Sequence, residues 1–465
     1  MKIVLYKPLV RPEINFNPVK KIYLGFSYLI SYLQLNEPEC SVHIAYTVEA
    51  IIDMQPDLIG ISSVTEMWEI TKKTVSWLRK EGFSGPVIIG GPHITALPET
   101  LPIQVDCAVI GQGEQTFLEL VRVYKVGGLV ALQGIPGVAY RDSDDQLHIN
   151  RERVSIDLDL LPLDLHRHPS IPFQISTVRG CAFHCVHCVE HDIQKKVNHL
   201  SVERLLWMMK KRLEITRNPH FVFQDDTFLL PRGRLEQLHE LMRKENLLGK
   251  VIIKLVSLNA NLVEPHTIGF LKEIGVIKLG MGIESLNPRI LKVMKRGVVT
   301  LDQIDRTIRY AQKENLPIGG SQVYGFPGET REEMIDSIER VRDYERRTIF
   351  KHWVCYICQP LPGSQFWEQE LNSSRVSLDM DFSSLRIDGD SRFFATPWYY
   401  ANADNVPRSE FISILKKYEM LPLYFFLPPN AFSKTRRAVA CLGVWLRQSR
   451  KFLSIEGKWE KWRRG

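Results

Sequence analysis

The sequence lacks any long apolar run. No stretch of its 465 residues reaches the roughly 18 uninterrupted apolar residues that a membrane-spanning helix needs, and the N-terminus has no signal-peptide pattern. We therefore expect a cytoplasmic protein. Hydrophobic residues make up 44% of the chain and charged residues 24%, which is typical of a globular protein with large buried cores. The length predicts two or three domains.

Cysteine is scarce and unevenly spaced. Three of the eight cysteines, Cys181, Cys185 and Cys188, lie in one loop, while most of the others are scattered, which excludes a disulfide framework. Thiolates suit iron-sulfur clusters, and three of them can hold three irons of a [4Fe-4S] cluster while the fourth iron stays open. A zinc site, which needs a fourth ligand, and a disulfide with one spare thiol are the alternatives.

The cysteine loop resembles the cluster loop of the radical S-adenosyl-L-methionine (SAM) superfamily. The resemblance implies that SAM binds the open iron, and that an electron from the cluster releases a 5′-deoxyadenosyl radical able to take hydrogen from an unreactive carbon. It also places Phe183 and His187 beside SAM. The residue at His187 is usually aromatic in the family, and an imidazole can still pack on adenine.

Residues 1–125 alternate short apolar strands with helical patterns. This alternation predicts an α/β domain with a parallel, doubly wound, Rossmann-like sheet, which binds ligands at the carboxyl ends of its strands. The loops predicted at those ends contain glycines, hydroxyls and amides suited to a large flat ligand with a polar rim. The candidate residues are Ser62, Ser63, Thr65, Gly90, Gly91, His93, Gly111, Gln112, Gly113 and Glu114.

These loops resemble the cobalamin-binding (B12-binding) domain that precedes the radical SAM domain in one large subgroup. The Asp-x-His-x-x-Gly motif, which supplies a histidine to the lower face of cobalt in other cobalamin proteins, is missing from residues 7–16. His93 is a tempting substitute, although a histidine in such a turn is more often a hydrogen-bonding residue. The alternative for the whole domain is a flavodoxin-like module that has lost its cofactor.

The rest of the chain divides into three parts. Residues 126–172 are predicted to be a connection with a hairpin near 134–145. Residues 173–365 contain six strand candidates separated by helices, which fits the partial (βα)6 barrel of radical SAM enzymes, and the fourth of these strands is predicted over 276–280. Residues 366–465 are predicted to form a mainly helical segment that caps the substrate.

Several barrel motifs lie after strands, where barrel enzymes place their active sites. The resemblance assigns contacts with SAM to Asp225, Asp226, Glu284, Ser285 and Gly325. For the aspartates the alternative is an acidic helix N-terminus, which the helix dipole favours. Relatives often have an arginine at the position of Asn259, so the partner of the SAM carboxylate is left open.

Cys355 and Cys358 lie in the sixth strand candidate and do not belong to the resemblance. Residues three apart on a strand point to opposite faces, so joint metal binding needs a bulge. Buried inert thiols are therefore the preferred interpretation. A catalytic role for one of them, as hydrogen donor or ligand, is the alternative.

The C-terminal residues 434–464 carry ten Lys or Arg and two Glu, a net charge of +8, together with several aromatic residues. Such a segment can lie on an anionic membrane or bind an acidic partner, but it is more often a solvated helix with one packed face. No recognition module accompanies the charge, so we expect no nucleic-acid partner.

The resemblance to cobalamin-dependent radical SAM enzymes predicts methyl transfer to an unactivated carbon. The implied cofactors are a [4Fe-4S] cluster, SAM and cobalamin, and the implied partners are a small-molecule, lipid or peptide substrate and an electron donor such as flavodoxin or ferredoxin. Radical oxidation, cyclisation or rearrangement of a tetrapyrrole or lipid is one alternative. A non-catalytic sensor or scaffold that binds SAM is the other.

Overall fold

Seven strands form the first sheet of the protein, in the order β2-β1-β3-β4-β5-β6-β7. The computed structural model describes residues 1–8, 23–127, 129–164, 169–194, 196–385, 399–418 and 420. Strands β1 to β5 are parallel, and β6 and β7 are antiparallel to their neighbours. The strands are β1 Lys2–Tyr6, β2 Ser41–Ala45, β3 Leu58–Ser62, β4 Val87–Gly90, β5 Cys107–Val109, β6 Val138–Arg141 and β7 Leu147–Ile149.

Helices cover this first sheet, as continuous apolar strands require. They are α1 Leu24–Asn36, α2 Val48–Asp53, α3 Trp68–Lys80, α4 Pro92–Ala96 and α5 Glu114–Lys125. Helix α2 is short and is absent from the sequence-based prediction. Its start is capped by Thr47, whose side chain accepts a hydrogen bond from the backbone N–H of Ala50.

The predicted hairpin at 134–145 is present, but it is not separate from the first sheet. Its two strands, β6 and β7, extend that sheet beyond β5, with Val109 facing Val138 across an antiparallel pair. Val138 and Ala139 are fully buried, so the hairpin completes the core of the sheet. Part of the stretch predicted as a connection therefore belongs to the first folded unit.

The second half is a partial parallel barrel with its third strand divided in two. Its strands are β8 Phe173–Ile175, β11 His220–Phe223, β12 Ile252–Ile253, β13 Val256–Leu258, β14 Leu279–Glu284, β15 Ile318–Tyr324 and β16 Phe350–Ile357. A small antiparallel pair, β9 Val178–Arg179 with β10 Asn198–His199, flanks the cysteine loop. Hydrogen bonds join the barrel strands as β12-β11-β8 and β13-β14-β15-β16.

The barrel helices lie between these strands. They are α6 Glu190–Ile193, α7 Val202–Thr216, α8 Arg234–Lys244, α9 Thr267–Glu273, α10 Pro288–Met294, α11 Leu301–Lys313 and α12 Arg331–Arg347. The α/β fold class predicted from the sequence, a Rossmann-like domain followed by a partial barrel, is confirmed. The fourth barrel strand was misplaced: it runs over Leu279–Glu284 rather than 276–280, so Glu284 ends the strand instead of following it.

The C-terminal segment begins by packing on the first domain. It contains α13 Gln365–Asn372 and α14 Arg408–Lys417. Trp367 and Phe382 are buried in the same core as Trp68, which lies in α3 of the first domain. The basic stretch 434–464, interpreted as a solvated helix with membrane contact as an alternative, lies outside the described residues. Within the described residues, no helix has the length and apolar character to cross a membrane.

We predict that Trp367→Ala destabilises the protein by about 3–5 kcal/mol, because it leaves a large cavity in a core that two segments share. Trp367 is 0% exposed, whereas Trp207 on α7 is 43% exposed and supplies the matched control. Urea unfolding followed by circular dichroism measures both variants. Equal stabilities for Trp367→Ala and Trp207→Ala would show that the C-terminal segment does not help to hold the first domain.

Candidate active site between the two parallel sheets

The cysteine loop follows β9 and is fixed by its backbone. Gly180 has φ +84°, and a Cβ there would lie 2.9 Å from the carbonyl oxygen of Lys196, so the position requires glycine. The N–H of Val186 donates to the carbonyl of Met294 at 3.0 Å. These contacts hold the loop against Lys196, just before β10, and against Met294 at the end of α10.

The three loop cysteines are free thiols and do not gather around one point. Among the described residues, only Glu37, Glu39 and Cys40 bring three ligand atoms within 4.8 Å of one another. Thiolates on one tetrahedral zinc lie ~3.8 Å apart, which follows from the Zn–S bond length. The sulfur atoms of the three loop cysteines are therefore not all as close together as a single zinc ion would hold them.

Cluster binding must be coupled to proton release. Burial raises the pKa of the Cys185 thiol and raises that of Cys188 to about 12, and the nearby ammonium of Lys295 partly opposes the shift at both. Iron binds thiolates, so both thiols lose their protons when a cluster assembles.

A buried ion pair lies beside the cysteine loop. Lys295 Nζ donates to Glu284 Oε1 at 2.7 Å, and His187 Nε2 lies 4.0 Å from the same oxygen. Burial raises the pKa of Glu284, but the charges of Lys295 and His187 outweigh it, and the net shift is downward. The structure thus brings His187 and Glu284 together, as a shared SAM site requires, but one carboxylate oxygen of Glu284 already binds Lys295.

The two aspartates after β11 have different surroundings. Asp225 accepts hydrogen bonds from the N–H and hydroxyl of Thr177, at 2.5 and 2.6 Å, and from the N–H of Val178 at 2.9 Å. Both its oxygens accept hydrogen bonds inside the chain, and its contact with SAM stays a prediction. Asp226 lies beside Glu190, and burial followed by repulsion from Asp226 raises the pKa of Glu190 to about 8.

Ser285 and Asn259 are also engaged within the chain. The Ser285 hydroxyl is 0% exposed, lies 3.3 Å from Ser337 Oγ of α12 and accepts a hydrogen bond from the Asn287 N–H at 3.1 Å. The hydroxyl therefore faces α12, and the contact of Ser285 with SAM stays a prediction. Asn259 accepts from the N–H of Asn261 and begins a 3₁₀ turn.

Gly325 forms a tight turn after β15. Its φ is +78°, a Cβ there would approach Tyr400 Cε2 to 3.0 Å, and its N–H donates to Glu329 Oε2 at 2.7 Å. Glu329 is 0% exposed, and its Oε1 has no hydrogen-bond partner within the described part of the chain. Burial raises the pKa of Glu329 to about 8.

Cys355 and Cys358 lie in different packing clusters. Cys355 packs in the cluster that contains Phe411 of α14, and Cys358 packs in the one that contains Phe366 of α13. Burial raises the pKa of each thiol well above the ordinary value for cysteine. Two separated, protonated thiols favour the interpretation that both are inert.

The carboxyl-end loops of β3, β4 and β5 meet at one edge of the first sheet. A Cβ at Gly91 would lie 2.6 Å from the carbonyl oxygen of Ser63, so the loop after β4 touches the loop after β3. The N–H of Gly111 donates to Thr95 Oγ1 at 3.1 Å, which joins the loops after β4 and β5. Of the predicted cobalamin-binding residues, this edge carries Ser62, Thr65, Gly90, Gly91, Gly111, Gln112 and Gly113, all at least partly exposed.

Three predicted cobalamin contacts point elsewhere. His93 is 0% exposed, and its ring nitrogens lie 3.3 and 3.2 Å from the hydroxyls of Thr65 and Thr100, so it is not placed as a cobalt ligand. Burial lowers the pKa of His93 to about 3, which keeps it neutral. Ser63 is buried and bonds to a hydroxyl of α3, and Glu114 is buried in an ion pair.

A cavity of about 450 Å³ separates the two sheets. Thr95 and Ala96 of α4 line it from the first domain, Cys185 lines it from the cysteine loop, and Ser364 lines it from the segment after β16. The first domain and the cysteine loop therefore line one cavity, and Thr95, whose hydroxyl accepts from the N–H of Gly111, connects it with the loop after β5.

Sequence reasoning missed two cations at this site. Lys295 is buried against Glu284, and Arg296 lines the cavity. Both follow α10, in a Lys-Arg-Gly stretch that carries no distinctive spacing. Lys295 and Arg296 directly follow Met294, whose carbonyl contacts the cysteine loop. That contact is between residues far apart in the chain, so the sequence gives no signal for it.

Comparison with known proteins gives the family. One family model, the radical SAM superfamily, matches residues 175–341, and another, the B12 binding domain, matches residues 24–121. The chain is 30% identical over 339 residues to an uncharacterized methyltransferase of Pyrococcus horikoshii, and the match covers 67% of this chain and 69% of that one. The chain belongs to the cobalamin-binding radical SAM enzymes.

Two further similarities agree with this family. A bacteriochlorophyllide d C-8(2)-methyltransferase of Chlorobaculum tepidum is 22% identical over 342 residues, 70% of each chain. The radical SAM methyltransferase TsrM from Kitasatospora setae, solved with cobalamin and a [4Fe-4S] cluster, has a TM-score of 0.64 at 16% identity and matches over 80% of this chain and 75% of that one. That structural likeness shows a shared fold.

The family membership confirms the cofactors predicted from the sequence. A cobalamin-binding radical SAM enzyme uses a [4Fe-4S] cluster, SAM and cobalamin. The edge of the first sheet and the three-cysteine loop fit these groups, because close backbone approach is available at the edge and separated thiolates are available in the loop. The prediction that the protein is an enzyme is confirmed as well.

We predict that alanine at Cys181, Cys185 or Cys188 abolishes cluster binding and with it the formation of 5′-deoxyadenosine, since three thiolates are the fewest that can hold three irons. Iron and sulfide analysis of reconstituted protein, with product chromatography, measures both. Cys40→Ala is the matched control and keeps the cluster. A full iron content in Cys185→Ala would contradict the assignment of this loop as the cluster-binding site.

We predict that Glu329 makes the folded state less stable as the pH rises from about 4.5 to about 8, because its folded pKa is raised and the unfolded chain releases the proton first. Glu329→Gln removes this contribution, which has a slope of about 1.4 kcal/mol per pH unit. Unfolding free energies at several pH values test it. A difference between wild type and variant that does not change with pH, or one matched by the exposed Glu332→Gln, contradicts the prediction.

Proposed function

We propose that the protein transfers a methyl group to an unactivated carbon atom of its substrate. The observation that carries the proposal is a cavity lined by Cys185 of the cysteine loop and by Thr95, which bonds to Gly111 of the cobalamin-binding edge. Methyl transfer needs the corrin and the radical source to reach one substrate atom, and a shared cavity provides that access.

In this proposal Cys181, Cys185 and Cys188 hold the cluster, and the loops after β3, β4 and β5 hold cobalamin. When bound, these groups and SAM supply the methyl group and the hydrogen-abstracting radical. His187, Glu284 and Asp226 lie around the cysteine loop at the strand ends, where they can bind the charged end of SAM. The buried ammonium of Lys295 keeps Glu284 ionised.

The names of the relatives support the reaction class. A cytidylyl-2-hydroxyethylphosphonate methyltransferase of Streptomyces wedmorensis is 22% identical over 370 residues, and a bacteriochlorophyllide d C-12(1)-methyltransferase of Chlorobaculum tepidum is 23% identical over 295 residues. One of these names specifies a phosphonate substrate and the other a bacteriochlorophyllide. We therefore extend the shared methyl transfer to this chain and leave its substrate unassigned.

The proposal predicts two products from SAM. Anaerobic protein supplied with iron, sulfide, hydroxocobalamin and a low-potential reductant should retain corrin absorbance and form both S-adenosylhomocysteine and 5′-deoxyadenosine. A substrate screen should then give a product heavier by one methyl group. Formation of 5′-deoxyadenosine without bound corrin and without S-adenosylhomocysteine would contradict methyl transfer and favour radical oxidation or rearrangement.

A further inference from the structure

The loop Gly111–Glu114 contacts the cysteine loop at both of its ends. Glu114 Oε1 pairs with Arg179 Nη2 at 2.8 Å, and Arg179 comes just before Gly180 and Cys181. The side chain of Gln112 donates to Gln194 Oε1 at 3.0 Å, just after α6 closes the loop. A single tight turn of the first domain thus binds the entry and the exit of the cysteine loop.

The entry contact is buried. The side chains of Arg179 and Glu114 are 11% and 6% exposed, and the guanidinium also lies over the ring of Tyr28 at 4.6 Å. Burial lowers the pKa of Arg179, but Glu114 and Tyr28 more than offset it, so the ion pair persists. Removal of one charge would leave the other buried and unpaired, which is far costlier than the loss of a surface ion pair.

A third contact fixes the same end. Tyr28 of α1 accepts a hydrogen bond through its hydroxyl oxygen from the N–H of Ser176 at 3.3 Å. Ser176 follows β8, the strand that leads into the cysteine loop. The entry is therefore tied to the first domain by an ion pair, a cation–π contact and a hydrogen bond, whereas the exit receives a side-chain hydrogen bond from Gln112 and packing from α4.

We propose that Gln112 and Glu114 are positioning residues, which hold the cysteine loop in register with the cobalamin-binding edge instead of binding cobalamin themselves. This inference rests on the proposed function, because that function explains why the cysteine loop must be held in place. The experiment that tests it does not require methyl transfer to occur. The backbone of Gly111 and Gly113 lies at the cobalamin-binding edge. In this proposal the backbone of the turn contacts cobalamin, while its side chains at 112 and 114 contact the cysteine loop. A displacement of about 1 Å at a reacting group can cost about 100-fold in rate.

The contacts at the two ends of the cysteine loop can be removed separately by substitution. Hydrogen exchange of reconstituted holoenzyme, measured by mass spectrometry over 176–194, should show about tenfold faster exchange near 178–183 in Glu114→Gln and near 190–194 in Gln112→Ala. Both variants should keep the hydroxocobalamin occupancy of wild type, and both should form 5′-deoxyadenosine at least about tenfold more slowly. Glu214→Gln, which breaks the exposed pair with Lys211, is the control and should change none of these.

Each outcome decides the proposal. Loss of bound hydroxocobalamin with unchanged exchange in the cysteine loop would make Gln112 and Glu114 cobalamin contacts and overturn it, as would unchanged exchange and occupancy together. Gln112→Ala leaves no buried charge unpaired, so it still gives a decision if Glu114→Gln fails to fold. A wild type that binds no corrin would defeat the proposed function, while the exchange and cluster measurements would still test the positioning role.

Discussion

The structure depends on one geometric constraint: parallel strands gather their loops at a single edge, and this chain sets two such edges against each other. The first sheet contributes the loops after β3, β4 and β5, and the barrel contributes the cysteine loop and the segment after β16. Contact is close, since a Cβ at Gly363 would lie 3.2 Å from Ala96 Cβ. The cavity between the edges follows from this arrangement, and in the proposed function it gives both cofactor sites access to one substrate.

Buried charge keeps the two edges in a defined relation. Arg179 with Glu114 and Lys295 with Glu284 are paired in nearly dry surroundings on two sides of the cysteine loop. Such pairs add little stability compared with apolar packing, but they penalise every arrangement that separates them. They restrict the geometry of the loop, and the cores formed by Trp68, Trp367 and their neighbours supply the stability.

Much of the fold could be predicted from the sequence because its signals are local. The alternation of short apolar strands with helical patterns predicted the Rossmann-like sheet and the barrel, and the cysteine spacing pointed to the cluster. The errors concern long-range contacts. Nothing near His93 shows that Trp68 and Phe382 enclose it, and nothing near Glu114 shows that Arg179 lies 2.8 Å away. A polar residue after a strand can face the ligand or the neighbouring domain, and only packing decides between them.

The most direct test of the account is the magnetic interaction between the two metal centres. Holoenzyme containing cob(II)alamin and the reduced cluster carries two unpaired spins, and electron paramagnetic resonance measures whether they couple. A shared cavity predicts broadened or split signals relative to samples that contain either centre alone. Two independent, unperturbed signals from fully loaded protein would contradict the account, because the corrin and the cluster would then occupy separate sites.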